Sequence, residues 1–206
     1  MSEERTRLAR RAPEERRAAV LDAARSLFVA NGIPATSIDA IAAQAGVAKG
    51  TVYLYFPTKE HIVSAIEAEF TARIVERTRA AATAAADARA AVEAWCVELA
   101  LSYLDALDVH DMLFCGGSPA TRAGVADNAL VHDLHALLVS HGVDDPAATA
   151  PFIVGGVTML TDRAILDRSA ESPAELLASV RRCVSAAIAP LHAAGASVPA
   201  APGAGA

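Results

Sequence analysis

AGVAKGTVYLYFPTKE, residues 45–60, holds both lysines of the chain, Lys49 and Lys59, and two of its three tyrosines, Tyr53 and Tyr55. Around it the sequence is built largely from alanine, leucine, valine and arginine, so this concentration of ammonium and hydroxyl groups is local. The spacing predicts a short helix over about 48–55. Val52 and Phe56, one turn apart, form its buried side, and Lys49, Gly50, Thr51, Tyr53 and Tyr55 are left outside. Gly46 stops the helix before it, Pro57 breaks the helix itself, and Thr58 is placed to cap the next.

Upstream, a second short helix starts at Thr36 or Ser37, either a good N-cap, with Asp39 placed to complete a capping box from Thr36. Ile38, Ile41 and Ala45 face inward. A longer first helix begins near Pro13, with Glu14 and Glu15 at the positive end of its dipole. It presents Val20, Ala24, Leu27 and Phe28 on one face and ends at Asn31 and Gly32. Downstream, Ile62, Ile66, Phe70 and Ile74 give a fourth helix a continuous apolar stripe that couples this head to the rest of the chain.

Two short helices joined by a glycine-containing turn, the second apolar inside and polar outside, form a helix-turn-helix pattern. Its outer residues suit DNA. Lysine supplies a cation, threonine and tyrosine supply hydroxyl donors for phosphate, and Gly50 lets the helix approach a groove edge. A tyrosine ring also touches a thymine methyl. Backbone N–H groups at Thr36–Ser37 and Thr58–Lys59 add helix-terminal donors for phosphate. On composition alone, packing aromatics and two surface lysines stand beside this reading.

The charge is divided in the same sense. Net charge over 206 residues is −6, but residues 1–60 carry 9 Arg or Lys against 7 Asp or Glu, whereas residues 61–206 carry 9 against 17. Only the first part has the sign expected of a surface that meets a polyanion. With 53% hydrophobic residues the chain is long enough to bury a substantial core. The longest apolar run, PFIVGGVTML at 151–160, is well short of the roughly 20 residues of a membrane span. A polar N-terminus without a secretion signal adds the expectation of a soluble, cytoplasmic protein. Cys96, Cys115 and Cys183, far apart and odd in number, argue against a disulfide framework or a structural zinc site. They read as small buried hydrophobes, with Cys115 beside Gly116 and Gly117 as the position for a redox switch.

Strand signals are nearly absent and helical spacing runs throughout, which predicts an all-α chain. Beyond the fourth helix, helices are expected at about 87–107, 127–141, 146–168 and 172–193, with a broken stretch over 108–125. The division expected is an arm at 1–12, a DNA-binding head at 13–60 with its motif at about 37–56, a helical body at 61–193 and a disordered tail at 194–206.

From about Glu15 to Ile66 the sequence resembles the DNA-binding head of the tetracycline-repressor (TetR) family of bacterial transcriptional regulators. Three parts carry the resemblance, in order: AARSLFVANG in the first helix, TSIDAIAAQAGVAKGTVYLYF across the helix-turn-helix, and PTKE opening the fourth helix. The resemblance implies that Thr36, Ser37, Tyr55 and Lys59 hold phosphates, and that Lys49, Gly50, Thr51 and Tyr53 face the groove over Val47, Val52 and Phe56. RTRLARR at 5–11 is either an arm for phosphates and the minor groove or a solvated tail. The family's members are homodimers that read a palindromic operator and pair through their last two helices. Here the last helix offers Leu176, Leu177, Val180, Val184, Ile188 and Leu191 at helical spacing, and Gly155 and Gly156 would permit close helix approach.

The resemblance further implies a ligand-responsive regulator, most simply a repressor released by a small-molecule inducer held in the helical body. Trp95, Leu99, Tyr103, Met112, Phe114, Phe152 and Met159 are the candidate lining residues, each also readable as ordinary core. His110, Asp111, His132, Asp133 and His135 are the one metal-like cluster, and no metal or cofactor is assigned. Two other classes stay open: a DNA-binding protein without an inducer, and a helical-bundle enzyme. The enzyme lacks its usual handles, since no Glu-x-x-His pair, GxSxG or GxGxxG occurs.

Overall fold

The computed structural model describes residues 12–110, 112–113, 129–166 and 172–188. Among these residues there are nine helices and no strand. In chain order they are α1 (Pro13–Asn31), α2 (Ile38–Ala45), α3 (Lys49–Tyr55), α4 (Lys59–Thr83), α5 (Ala88–Asp105), α6 (Leu107–His110), α7 (Ala129–Ser140), α8 (Pro146–Leu166) and α9 (Pro173–Ala187). The arm at 1–11, Asp111, Phe114, Cys115 and the tail from 189 lie outside the described residues.

Local chemistry sets the helix ends of the head. Proline opens α1, where a missing N–H costs nothing, and Gly32 closes it at φ 80°. Of the two caps expected for α2, Ser37 is the one used, and the capping box expected from Thr36 to Asp39 does not form. The Ser37 Oγ accepts from the Ala40 N–H at 3.1 Å, while Thr36 is buried. Gly46, at φ 68°, turns the chain out of α2 and donates its N–H to the Ala42 and Ala43 carbonyls, in the left-handed conformation that glycine adopts without penalty. Thr58 occupies the N-cap position of α4 but makes no side-chain bond to the helix backbone. Its hydroxyl lies 3.0 Å from His61 Nδ1 instead.

The stripe predicted on α4 forms, and Ile62, Ile66, Phe70, Ile74, Thr78 and Ala82 are all buried along it. One apolar cluster runs from Val20 and Phe28 in the head through α4 to Trp95, Leu99, Leu134 and Leu176 in the body. Glu69 adds a polar tie, meeting Arg25 at 3.0 Å and Arg17 at 3.4 Å across the α1–α4 contact. Arg17 also lies over the Phe56 ring, 5.3 Å from its centroid. The head is thus packed on the first half of α4, and any tilt of α4 carries it.

In the last helix, Leu176, Val180 and Val184 are buried within their own chain, so three of the six apolar residues of the stripe cover the chain's own core. Leu177 and Ile188 pack partly against that core, and Leu191 lies outside the described residues. The apolar surface left open is on α8: Phe152 is 73% and Met159 69% exposed, and a Cβ on Gly155 or Gly156 would meet nothing within 4 Å. Cys96 is buried as expected, but Cys183 is exposed on α9, which corrects its reading as a core residue.

Candidate nucleic-acid interface

The interface is a seven-residue helix held from below. On α3, Val52 is fully buried and Phe56, just past its end, nearly so. These two anchors fix the rotation of the helix, because residues four apart share a face. Lys49, Gly50, Tyr53 and Leu54 are then exposed, and Thr51 and Tyr55 half-buried. Tyr55 packs against the core with part of its ring. The predicted inner and outer faces of this helix are both found.

Leu54 has no place in the sequence reading and is the most exposed large hydrophobic side chain of the described residues, at 78%. The signal for it was present. With Val52 and Phe56 buried, a residue two positions from each must point away from the core. An apolar side chain on a DNA-facing surface matches a thymine methyl as well as a tyrosine ring does.

Around α3 the polar residues divide into those offered to solvent and those engaged by the fold. Ser37 accepts from the α2 backbone, and its own O–H remains to donate. Lys49 Nζ lies 2.8 Å from an Asp39 carboxylate oxygen. The hydrogen bond and charge of Asp39 hold the Lys49 ammonium above its ordinary pKa, so it stays a cation. This pair is exposed on both sides, and such pairs open at little cost.

Two predicted contacts turn inward. The Thr36 hydroxyl donates to the Gly32 carbonyl at 2.9 Å, with Leu27 O at 3.3 Å, and locks the α1–α2 turn. Lys59 Nζ donates to the carbonyls of Ile33 at 2.7 Å, Thr36 at 3.2 Å and Pro34 at 3.3 Å. Its three ammonium protons therefore have three acceptors in that same turn. Spacing alone did not reveal this, because the turn lies more than twenty residues away in the chain.

In the body, Trp95, Leu99 and Tyr103 are buried. Tyr103 stacks on Phe70 with ring centroids 6.2 Å apart, and burial pushes its hydroxyl up to about 12, against a smaller lowering by Thr158. Met112 is half-buried and lines a crevice of about 390 Å³ against Phe28 and Pro34 of the head. Phe152 and Met159 face outward, so they are removed from the cavity lining. The metal-like cluster does not assemble among the described residues. The Asp133 carboxylate takes the Trp95 indole N–H at 2.8 Å and the Arg79 Nε–H.

An exposed short helix on two buried anchors, preceded by a capped helix and a left-handed glycine turn, defines a helix-turn-helix head, and the described residues behind it form a helical body. The family model for bacterial regulatory proteins of the tetR family matches residues 20–66, so the likeness to that family is carried by the head of the chain. Over 64 residues it is 45% identical to the HTH-type transcriptional repressor KstR of Rhodococcus jostii, covering 31% of this chain and 30% of the repressor. The match thus spans about a third of the length of the curated relatives. Solved structures extend the likeness in fold to the body. The fatty acid degradation regulator FadR from Bacillus halodurans is 19% identical with a TM-score of 0.65, over 88% of this chain and 98% of that one. SmeT, solved as a complex with triclosan, is 18% identical with a TM-score of 0.64, over 84% of this chain and 90% of its own.

Proposed function

We propose that the protein is a cytoplasmic transcriptional repressor that binds a palindromic operator as a homodimer and leaves it when a small molecule occupies the helical body. The observation that carries the DNA-binding part is Gly50. A Cβ at this position has open space around it, so nothing among the described residues requires glycine there, whereas close approach to a groove edge favours it. Lys49, Thr51, Tyr53 and Leu54 surround it as the reading surface, with Ser37 and Tyr55 toward the phosphates.

Pairing through α8 and α9 is supported by the exposed Phe152 and Met159 on either side of Gly155 and Gly156. Small residues let two helix backbones approach, and apolar neighbours fill the seam. That a protein of this fold holds triclosan supports the small-molecule part. An inducer acts only through its preference for the state that does not bind DNA; near-complete release takes about 5.5 kcal/mol of differential affinity.

Selection of binding sites from random duplex DNA tests this reading. Enrichment of an inverted repeat with half-sites about one helical turn apart is the expected result. Recovery of no common sequence at low salt overturns it.

A further inference from the structure

A groove between the end of α4, the start of α5 and α7 lies in the helical body to which the proposed function assigns a small molecule, and the ligand inferred for it rests on that reading. Its volume is about 630 Å³, within the roughly 300–1,000 Å³ range of small-molecule sites. It reaches Arg79, about 30 Å along α4 from Lys59 at 1.5 Å per residue, far from the candidate DNA surface. Ala82, Ala91 and Leu137 line it with short apolar side chains, and Trp95, the single tryptophan of the chain, forms part of its wall.

The polar group in this groove is unusually well fixed. Asp133 is buried and satisfied by two donors, the Trp95 indole N–H and Arg79 Nε–H. Arg79 is thereby held at Nε while 67% of its side chain remains exposed. The two terminal amino groups of its guanidinium extend from an oriented root, and a guanidinium so placed matches two oxygens of one anionic group. Thr83 and Ser140 donate their hydroxyl protons to backbone carbonyls, so they offer no competing donor, and the Asp87 carboxylate on the rim is engaged by the Ala90 N–H at the start of α5. His141 is the other nitrogen-bearing side chain of the lining.

We infer that this groove binds an amphipathic anion, a carboxylate or phosphate monoester with a slim aliphatic body, its head on Arg79 and its body over the alanines beside Trp95. The short side chains favour a slim body, since they leave a shallow floor. The inference is independent of DNA binding, because occupancy is read on the free protein.

Trp95 fluorescence and calorimetry with decanoate, decyl phosphate and decanol, all below their aggregation concentrations, test it. Saturable binding of at least one anion is expected, with decanol about tenfold weaker or more. The tighter of decanoate and decyl phosphate identifies the head group. Arg79→Gln is expected to weaken the anion about tenfold while leaving decanol unchanged, with the helical melting curve verifying the fold. Should loss of the Asp133 pair unfold that variant, Arg79→Lys keeps the charge without the fork and is expected to bind the anion several-fold more weakly. No saturable response to either anion, decanol binding as tightly as both, or variants of Arg79 that fold and bind as the parent does would each overturn the assignment.

Discussion

Gly50 and Lys59 sit nine residues apart in one motif and make opposite kinds of contact. Gly50 faces open space, so Gly50→Ala is expected to leave the melting temperature unchanged or raise stability by up to about 1 kcal/mol, while operator affinity falls. Thermal melting and a DNA titration on one sample check both halves. Lys59 binds three carbonyls of the α1–α2 turn. Lys59→Ala is therefore expected to cost about 1–2 kcal/mol of stability without altering the salt dependence of DNA binding. A drop of about 0.9 in the slope of log K against log salt, with stability kept, would return Lys59 to a phosphate. Tyr53, exposed and aromatic, is expected on replacement by Ala to lose about 1–3 kcal/mol on the operator and little on random DNA, as measured by paired titrations. Residue type made Gly50, Lys49 and Tyr53 legible in the sequence. It did not reveal the carbonyl partners of Thr36 and Lys59, because a hydroxyl or an ammonium serves a carbonyl as well as a phosphate, and only the folded turn shows which acceptor is within reach.

At the scale of elements, helix boundaries followed from glycine, proline and capping chemistry, and the head was readable almost throughout. The buried faces of α1 to α4 came from apolar spacing alone, since each helix has one core to cover. For α8 and α9 the same spacing was ambiguous, because a helix at a domain edge has two surfaces to choose between. Leu176, Val180 and Val184 went to the chain's own core, and the open apolar face moved to Phe152 and Met159. Phe152→Lys is accordingly expected to leave the folded monomer intact, as its side chain touches little of its own chain, and to abolish the dimer. Sedimentation at micromolar concentration checks this, and an unchanged dimer mass removes α8 from the interface. The α9 capping box, in which Ser172 Oγ accepts the Glu175 N–H and a Glu175 carboxylate oxygen accepts the Ser172 N–H, carries an S-x-x-E signature. That signature is legible in the sequence, at Ser172 and Glu175. These hydrogen bonds hold the Glu175 carboxyl below its usual range.

Across the whole molecule, α4 joins the head and body through one apolar cluster, and the stacked Phe70 and Tyr103 lie in that continuity. Burial raises the Tyr103 hydroxyl from 10.0 to about 12, so the folded state holds its proton where the unfolded chain releases it. The associated stability is complete below about pH 10 and is lost between there and about pH 12, at roughly 1.4 kcal/mol per unit in that window. Urea unfolding across that window is expected to show the loss, and Tyr103→Phe to remove this part of it. The sequence by itself determined the helical class, the helix-turn-helix, and the inner and outer faces of α3, because those depend on residue spacing within a few turns. The tertiary structure alone decided that Thr36 and Lys59 bind carbonyls, that Phe152 and Met159 leave the core, and that Asp133 joins Trp95 and Arg79. Each of those outcomes turns on groups brought together from distant parts of the chain, where competition among acceptors and faces is settled by packing.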